Sequence, residues 1–326
     1  MKKKNPLFSI VTATHNRYYY LNDLYKSLTL QSFKDIEWVI GDDGSTDKTD
    51  MLIKKFIKEK KIKIKYFKSN IRIGKSKMDN IIFPYVSGKY QCYCGSDDYF
   101  TRDAFKKMSE LLKLIPPDIE KKFNGIATQS VDTKGVSQSF FSNKMPKNNI
   151  FMRWDEFRNF LKGDCTLLEK TKAYKNKKFK EVDFLISEST LMNKIHKDKI
   201  FLISPIITKI MRRAKNSISF GAVMRYNRGY AHSISINLNK NEFNKLKLSK
   251  KVWFVINYWR YLYHGDINLI TGKRMWIITQ KNILYCLLIP LSIIICIRDI
   301  LWKDVEKTHL KFEKNKNKAI IEYVKL

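Results

Sequence analysis

Acidic residues are scarce in this chain: 31 Asp and Glu stand against 63 Lys and Arg, for a net charge of +32. A chain this basic attracts anions, and nucleic acid, an anionic membrane leaflet and phosphorylated substrates all belong to that class. Part of the lysine excess is compositional, since Ile and Asn are abundant too. Cysteine is also sparse. Cys92, Cys94, Cys165, Cys286 and Cys296 are odd in number and lack zinc-site spacing, which argues for reduced core thiols in a cytosolic compartment. Cys92 and Cys94 alternate along an apparent strand, so both point to one face. No internal repeat, zinc finger or clustered basic–aromatic platform is present, and no nucleic-acid partner is expected. After Met1-Lys2-Lys3-Lys4 the apolar stretch is short and broken by Thr14 to Arg17, so no secretory signal is expected. At 326 residues and 44% hydrophobic content, there is enough chain for one large α/β core with an appendage, or for two domains.

What is present is an alternation of strands and helices. Phe8 to Ala13 is a compact apolar, β-branched run, typical of a buried parallel strand, and polar Thr14 to Arg17 end it. Leu21, Leu24 and Leu28 recur at helical spacing. Ile36 to Ile40 reads as a second strand, ending in Gly41-Asp42-Asp43-Gly44-Ser45. Met51, Ile53, Phe56 and Ile57 mark a second helix, and Ile62 to Phe67 alternates with lysines as a third strand. A polar segment follows, then Tyr90 to Cys94 as a fourth strand, with Asp97 and Asp98 directly after it. Thr101 stands where it can cap a helix carrying Phe105, Met108 and Leu112. Beyond Pro116-Pro117 the pattern loosens into short strands, a helix around Trp154 to Leu161, and a helix start over Ser187 to Ile195 with Glu188 in its first turn. The alternation predicts an α/β fold with a mostly parallel sheet flanked by helices. Ligands of such sheets sit at the carboxyl ends of the strands. The polar clusters that end strands one, two and four are therefore expected to converge on one crevice.

Ser9-Ile10-Val11-Thr12-Ala13-Thr14-His15-Asn16-Arg17 followed by Gly41-Asp42-Asp43-Gly44-Ser45-Thr46-Asp47 resembles the opening of family 2 glycosyltransferases. Gln31-Ser32-Phe33, Glu37-Trp38, Asn70, Gly74-Lys75, Asn80, Gly88-Lys89-Tyr90 and Ser96-Asp97-Asp98 continue the likeness over residues 7 to 110, and it persists more loosely over 150 to 230. The resemblance implies an inverting, Rossmann-like GT-A enzyme of bacterial surface-polysaccharide synthesis. It implies a UDP-sugar donor, a Mn²⁺ or Mg²⁺ cofactor, and a glycan or lipid-linked glycan acceptor. Ala13, Thr14 and His15 stand where the family lines its uracil pocket, with Arg17 beside them, and Asp43 matches the residue that accepts from the base, next to Asp42. Lys75, with Arg72 and Lys77, is within reach of the diphosphate. The family's usual Asp-x-Asp-Asp is Gly95-Ser96-Asp97-Asp98 here, without the first carboxylate. By the same resemblance Asp97 contacts the ribose and Asp98 holds the metal. Glu188 stands where part of the family has its catalytic base, with Ser189 replacing a second acid; Glu181 and Asp183 are the alternatives. Ser217-Ile218-Ser219, Asn227 and Gly229 fit the looser downstream pattern without an assigned role. Gly95 and Ser189 leave a second reading open, a catalytically weak relative acting as a binding or assembly subunit.

The expected division is a glycosyltransferase domain over residues 1–235, with a nucleotide-sugar half to about 115 and an acceptor half after it, and a basic helical region over 236–326. In that region Ile283 to Ile297 carries no charge; as a helix it is about 22 Å long, short of the roughly 30 Å bilayer core, and Pro290 interrupts it. An interfacial helix, a buried core helix and a span reaching back to Met275 across Lys281 are all compatible with it. Flanking Trp276, Tyr285 and Trp302, with many Lys and Arg, favour attachment to an anionic membrane surface, and the expected location is cytoplasmic, at the inner face of the membrane.

Overall fold

A computed structural model of the chain describes residues 5–141, 146–182, 185–212, 247–265, 287–302 and 319–324. Two compact units emerge. The first comprises Met1–Glu181, Leu191–Ser217 and Glu313–Leu326, the second Val182–Thr190 and Ile218–Phe312.

The first unit is built on a ten-stranded sheet. β1 (Phe8–Thr14), β2 (Ile36–Asp42) and β3 (Lys63–Ser69) pair in parallel, and β4 (Tyr90–Tyr93) joins the free side of β1, giving the order 3-2-1-4. The connections are the helices α1 (Tyr18–Thr29), α2 (Thr49–Glu59) and α3 (Lys75–Ile82). After β5 (Tyr99–Phe100) and α4 (Ala104–Leu111) the sheet becomes mixed. β10 (Cys165–Lys170) lies antiparallel between β4 and β6 (Phe123–Asp132). β11 (Ile200–Met211) runs parallel to β6 and antiparallel to β5 and to β8 (Ile150–Arg153). The parallel character expected from the sequence is thus that of the first four strands. β7 (Ser139–Phe141) and β9 (Leu161–Gly163) form a separate two-stranded ribbon, α5 (Trp154–Phe160) leads directly into β9, and α6 (Ser189–Ile195) precedes β11 in the chain.

The main core follows from the two periodicities. Phe8, Ile10, Trp38 and Ile40 alternate on one sheet face and meet Leu21, Leu24 and Leu28 of α1, Ile53 and Phe56 of α2, and Phe105 and Met108 of α4. Tyr25 stacks on Phe56 at 3.9 Å between ring centroids. Met51, assigned to this face by its spacing, is exposed instead, because the buried stripe of α2 is narrow. Thr101 does not cap α4. Asp103 occupies that position, and the Thr101 N–H donates to the Thr208 carbonyl at 2.9 Å, fastening the β5 end to β11. The polar stretch after β3 contains α3, whose buried residues include Ser76, Lys77, Asp79 and Asn80. Four residues of the tail, expected to be helical, form β12 (Ile321–Val324), antiparallel to β3 on the sheet edge, with Tyr323 stacked on Phe67. Cys92, Cys94 and Cys165 are free thiols, and no disulfide joins the described cysteines.

The second unit contains α7 (Leu248–Gly265) and α8 (Ile289–Trp302). Pro290 falls in the first turn of α8, where proline is tolerated, and does not interrupt the helix. α8 turns Ser292 and Cys296 inward, with Cys296 Sγ 3.4 Å from the Arg260 carbonyl of α7, and leaves Leu291, Ile294 and Ile297 exposed. Among the described residues no helix is long and apolar enough to cross a membrane. Lys281, Trp276, Tyr285 and the first four residues of the uncharged run lie outside the described residues.

One buried charge crosses the middle of the sheet. Glu37 accepts hydrogen bonds from the Ser9 hydroxyl at 2.8 Å, the Ser87 N–H at 2.9 Å and the Ser87 hydroxyl at 2.7 Å, and pairs with Lys63 at 3.0 Å and Lys65 at 3.1 Å. Burial alone would raise its pKa, but these donors outweigh it and hold the carboxyl at about 2. The folded value lies below the unfolded one, so the stabilisation is full above about pH 4 and fades as pH falls toward 2. Glu37→Gln is expected to cost about 2 kcal/mol at pH 7, with the gap to wild type closing between about pH 4 and 2 in denaturant titrations. A gap that stays constant across that range would contradict this account.

Candidate active site

The carboxyl ends of β1, β2 and β4 lie on one edge of the sheet, and the strand order reverses between β1 and β4, which is where open α/β sheets form their ligand crevice. Asp43, directly after β2, ties the pieces together. Its N–H donates to the Thr14 carbonyl at 2.8 Å. Its carboxylate, in a residue only 5% exposed, accepts from the N–H groups of Ile73 at 2.7 Å and Gly74 at 3.0 Å, just ahead of α3. Burial raises its pKa to about 6 against the pull of those two N–H groups and the Arg72 charge. The His15 ring donates from Nδ1 to the Asp43 carbonyl at 2.8 Å. A carbonyl only accepts, so the proton sits on Nδ1 and Nε2 is left as an acceptor. Burial and then Arg72 lower the His15 pKa, which keeps the ring neutral at pH 7.

The neighbouring residues divide into those that build the crevice and those that are open to it. Asn16, at φ 52°, accepts from the Thr46 N–H at 2.8 Å and joins the turn after β1 to the turn after β2. The Asp42 carboxylate is engaged inside that turn by the Ser45 N–H at 2.9 Å and the Tyr66 hydroxyl at 3.0 Å, and burial raises its pKa. Gly44, at φ +69°, admits no side chain, since a Cβ would stand 2.4 Å from the Ile71 carbonyl carbon. The Arg17 N–H donates to Thr49 Oγ1 at 3.0 Å, and its guanidinium lies 5.9 Å from the Tyr20 ring centre. Ala13 pairs with Gly41 in the β1–β2 register. The hydroxyl of Thr14 is buried with no hydrogen-bond partner. Lys75 is held by Asp79 at 2.9 Å and lies 4.0 Å from the centre of the Tyr93 ring, whose hydroxyl also bonds to Asp79.

Asp97 and Asp98 follow β4. An ideal Cβ on Gly95 would stand 3.0 Å from Asp98 Oδ2 and 3.2 Å from Asp97 Oδ1, so both carboxylates turn into the space that a side chain at 95 would fill. Burial raises both pKa values, that of Asp98 to about 6. The Arg212 N–H donates to Asp98 Oδ1 at 3.1 Å, and Lys209 Nζ lies 3.8 Å from Asp98 Oδ2. Among the described residues no group of three His, Cys, Asp or Glu side chains stands ready for a metal. Mg²⁺-like ions bound with substrate phosphates need one or two carboxylates and take the rest from phosphate and water, and the Asp97–Asp98 pair fits that donor set.

A family model described as Glycosyl transferase family 2 matches residues 9–177. The chain belongs to this family. It is a glycosyltransferase by that membership, and its fold is the GT-A arrangement. The GalNAc(5)-diNAcBac-PP-undecaprenol beta-1,3-glucosyltransferase of Campylobacter jejuni is 27% identical over 75% of this chain and 77% of its own length. The poly(ribitol-phosphate) beta-N-acetylglucosaminyltransferase TarS of Staphylococcus aureus is 28% identical over 43% of this chain, but the match spans only 24% of that protein. Among solved structures, S. aureus TarS 1-349 in complex with UDP superposes with a TM-score of 0.54 at 16% identity, covering 97% of this chain and 96% of that one. The mannosyltransferase PcManGT from Pyrobaculum calidifontis, in complex with GDP-Man and Mn2+, gives 0.52 at 14% identity over 92% and 88%. At these identities the structures speak for the fold alone.

The candidate site also has residues that sequence reasoning missed. Lys209 and Arg212 come from the end of β11, more than a hundred positions after Asp98, and no motif marks them among so many basic residues. Glu188 is exposed in the turn before α6, within the second unit. Glu181 accepts from Asn80 of α3 at 3.2 Å. Asp183, Ser217 to Ser219, Asn227 and Gly229 lie outside the described residues.

Gly44→Ala is expected to push the Ile71–Gly74 loop away from Asp43 and to weaken UDP binding by about tenfold or more, with a lower melting temperature. Calorimetry showing wild-type affinity would contradict the tight-turn account.

Proposed function

We propose that this protein transfers a hexosyl or N-acetylhexosaminyl group, with inversion, from UDP-sugar to a hydroxyl of a lipid-linked glycan during surface-polysaccharide synthesis. The observation that carries the reading is the gathering of His15, Asp43, Asp97 and Asp98 from three strand ends on one edge of the sheet. The Campylobacter relative, a transferase acting on an undecaprenol-linked glycan, and the TarS structures in complex with UDP-GlcNAc and UDP support it.

In this reading the neutral His15 ring lines the base pocket, with Ala13, Thr14 and Arg17 beside it. Asp43 accepts from the ring N–H of uracil, and Asp42 keeps the turn in place. Asp97 takes the ribose. Asp98 would hold a Mn²⁺ or Mg²⁺ ion, whose charge would offset that developing on the departing diphosphate. Lys75, the first residue of α3, is our assignment for a contact to the diphosphate. The donor half is residues 1–115, the acceptor half 116–235, and 236–326 the attachment region.

An inverting transfer needs a base on the acceptor side, opposite the leaving diphosphate. Asp97 and Asp98 belong to the leaving side, so the base comes from a later segment, and exposed Glu188 in the turn before α6 is our assignment. Attachment is peripheral, at the inner membrane face. The outward Leu291, Ile294 and Ile297 of α8 in a strongly basic chain suit an interfacial helix on anionic lipid.

Three measurements test these assignments. Wild type should bind UDP about tenfold or more tightly in Mn²⁺ than in EDTA by calorimetry, and Asp98→Ala should lose that difference while staying folded. Metal-independent affinity in wild type would remove the metal role. Glu188→Gln should keep UDP binding while transfer falls by about 10² to 10⁴-fold; a near-normal rate would move the base to Glu181 or Asp183. The double variant Leu291→Asp with Ile294→Asp should no longer sediment with anionic phospholipid vesicles, and undiminished binding would place attachment elsewhere.

A further inference from the structure

Lys209 is the least expected residue at the catalytic edge. β11 is parallel to β6, and β4 and β6 are both antiparallel to β10, so β11 ends on the same side of the sheet as β4. That brings Lys209 level with Phe100 in the β5 register, immediately beyond the Gly95–Asp98 turn. Its side chain is only 9% exposed, and lysine is almost never buried without a partner. The ion pair it forms is with Asp98, at 3.8 Å, too long for a direct hydrogen bond. Among the described residues nothing accepts a hydrogen bond from Nζ. The hydroxyl of neighbouring Thr208 is taken by Thr128. The thiols around it stay protonated, since burial pushes Cys92 to about 12 and Cys94 up as well. Asp164 is the other anion that acts on the Lys209 charge.

An ammonium on a side chain only 9% exposed, with Asp98 as its ion-pair partner and no hydrogen-bond acceptor among the described residues, has a physical consequence beside the carboxylate pair of a diphosphate site. The turn carries one carboxylate fewer than the common Asp-x-Asp-Asp because residue 95 is glycine, and β11 adds a fixed positive charge to it. Both changes lower the repulsion that an incoming diphosphate meets. We propose that Lys209 is a built-in cation of the donor site, donating to a non-bridging oxygen of the donor diphosphate and sustaining part of donor binding without a divalent ion. This rests on the donor-site reading above. A divalent ion at Asp98 would supply further positive charge to the diphosphate, and chelation separates that from the Lys209 contribution.

The test is calorimetry of UDP and of uridine, each in EDTA and in Mn²⁺, on the full-length wild type, Lys209→Met and Lys209→Arg. In EDTA the wild type should bind UDP several-fold more tightly than uridine. Lys209→Met, which keeps the stem and removes the charge, should lose about tenfold in UDP affinity in EDTA. Its uridine affinity should stay within about twofold, which also reports an intact base pocket. Lys209→Arg should restore most of the UDP affinity. Equal UDP affinity of wild type and Lys209→Met in EDTA would overturn the proposal. So would a wild type that binds UDP no better than uridine in EDTA, a result that needs no variant to fold. Failure of the wild type to bind UDP even with Mn²⁺ would instead overturn the donor-site reading, and this inference with it.

Discussion

The grip of the Asp43 carboxylate on two backbone N–H groups thirty positions away is the interaction on which this edge of the sheet depends. It fixes the loop before α3 against the end of β2, and the Asp43 carbonyl in turn fixes His15 at the end of β1. Gly44 makes the approach sterically possible, because any side chain there would strike the Ile71 backbone. The parallel pairing of β1 with β2 and β4 sets these ends side by side, so that short-range bonds can finish what topology begins.

The arrangement keeps its acids under strain. Asp43 and Asp98 are both pushed up to about 6, because burial outweighs the donors and cations around them. Charge in such a site is stabilised further when a ligand supplies the missing partner, which is the general pattern at functional sites. Glu37, in the same sheet, shows the opposite balance: enough donors surround it to draw its carboxyl down to about 2. The contrast is one of donors: those around Glu37 outweigh its burial, and those around Asp43 and Asp98 do not.

Much of this was legible in the sequence because buried parallel strands read as unbroken apolar runs and their polar endings stand out. β1, β2 and β4, and the Asp pairs after two of them, fall where the pattern puts them. Other elements were hidden for physical reasons. α3 buries Ser76, Lys77, Asp79 and Asn80, so its hydrophobic periodicity is erased by the polar contacts it makes. β12 is four residues long and pairs with a strand some 250 positions earlier, a relation no local pattern carries. Lys209 is one lysine in a chain full of them, and only its burial beside Asp98 distinguishes it. α8 shows its branched residues outward and its small ones inward, the reverse of what an apolar run suggests in a globular core.

The central claim is that three strand ends and the loop before α3 form one donor site. Backbone hydrogen exchange of the intact protein, with and without UDP and Mn²⁺, tests it most directly, since binding slows exchange where the ligand is held. The account predicts simultaneous slowing in residues 14–17, 43–46, 72–75 and 96–99. Protection confined to residues 247–302, or missing from any one of the three strand ends, would contradict it.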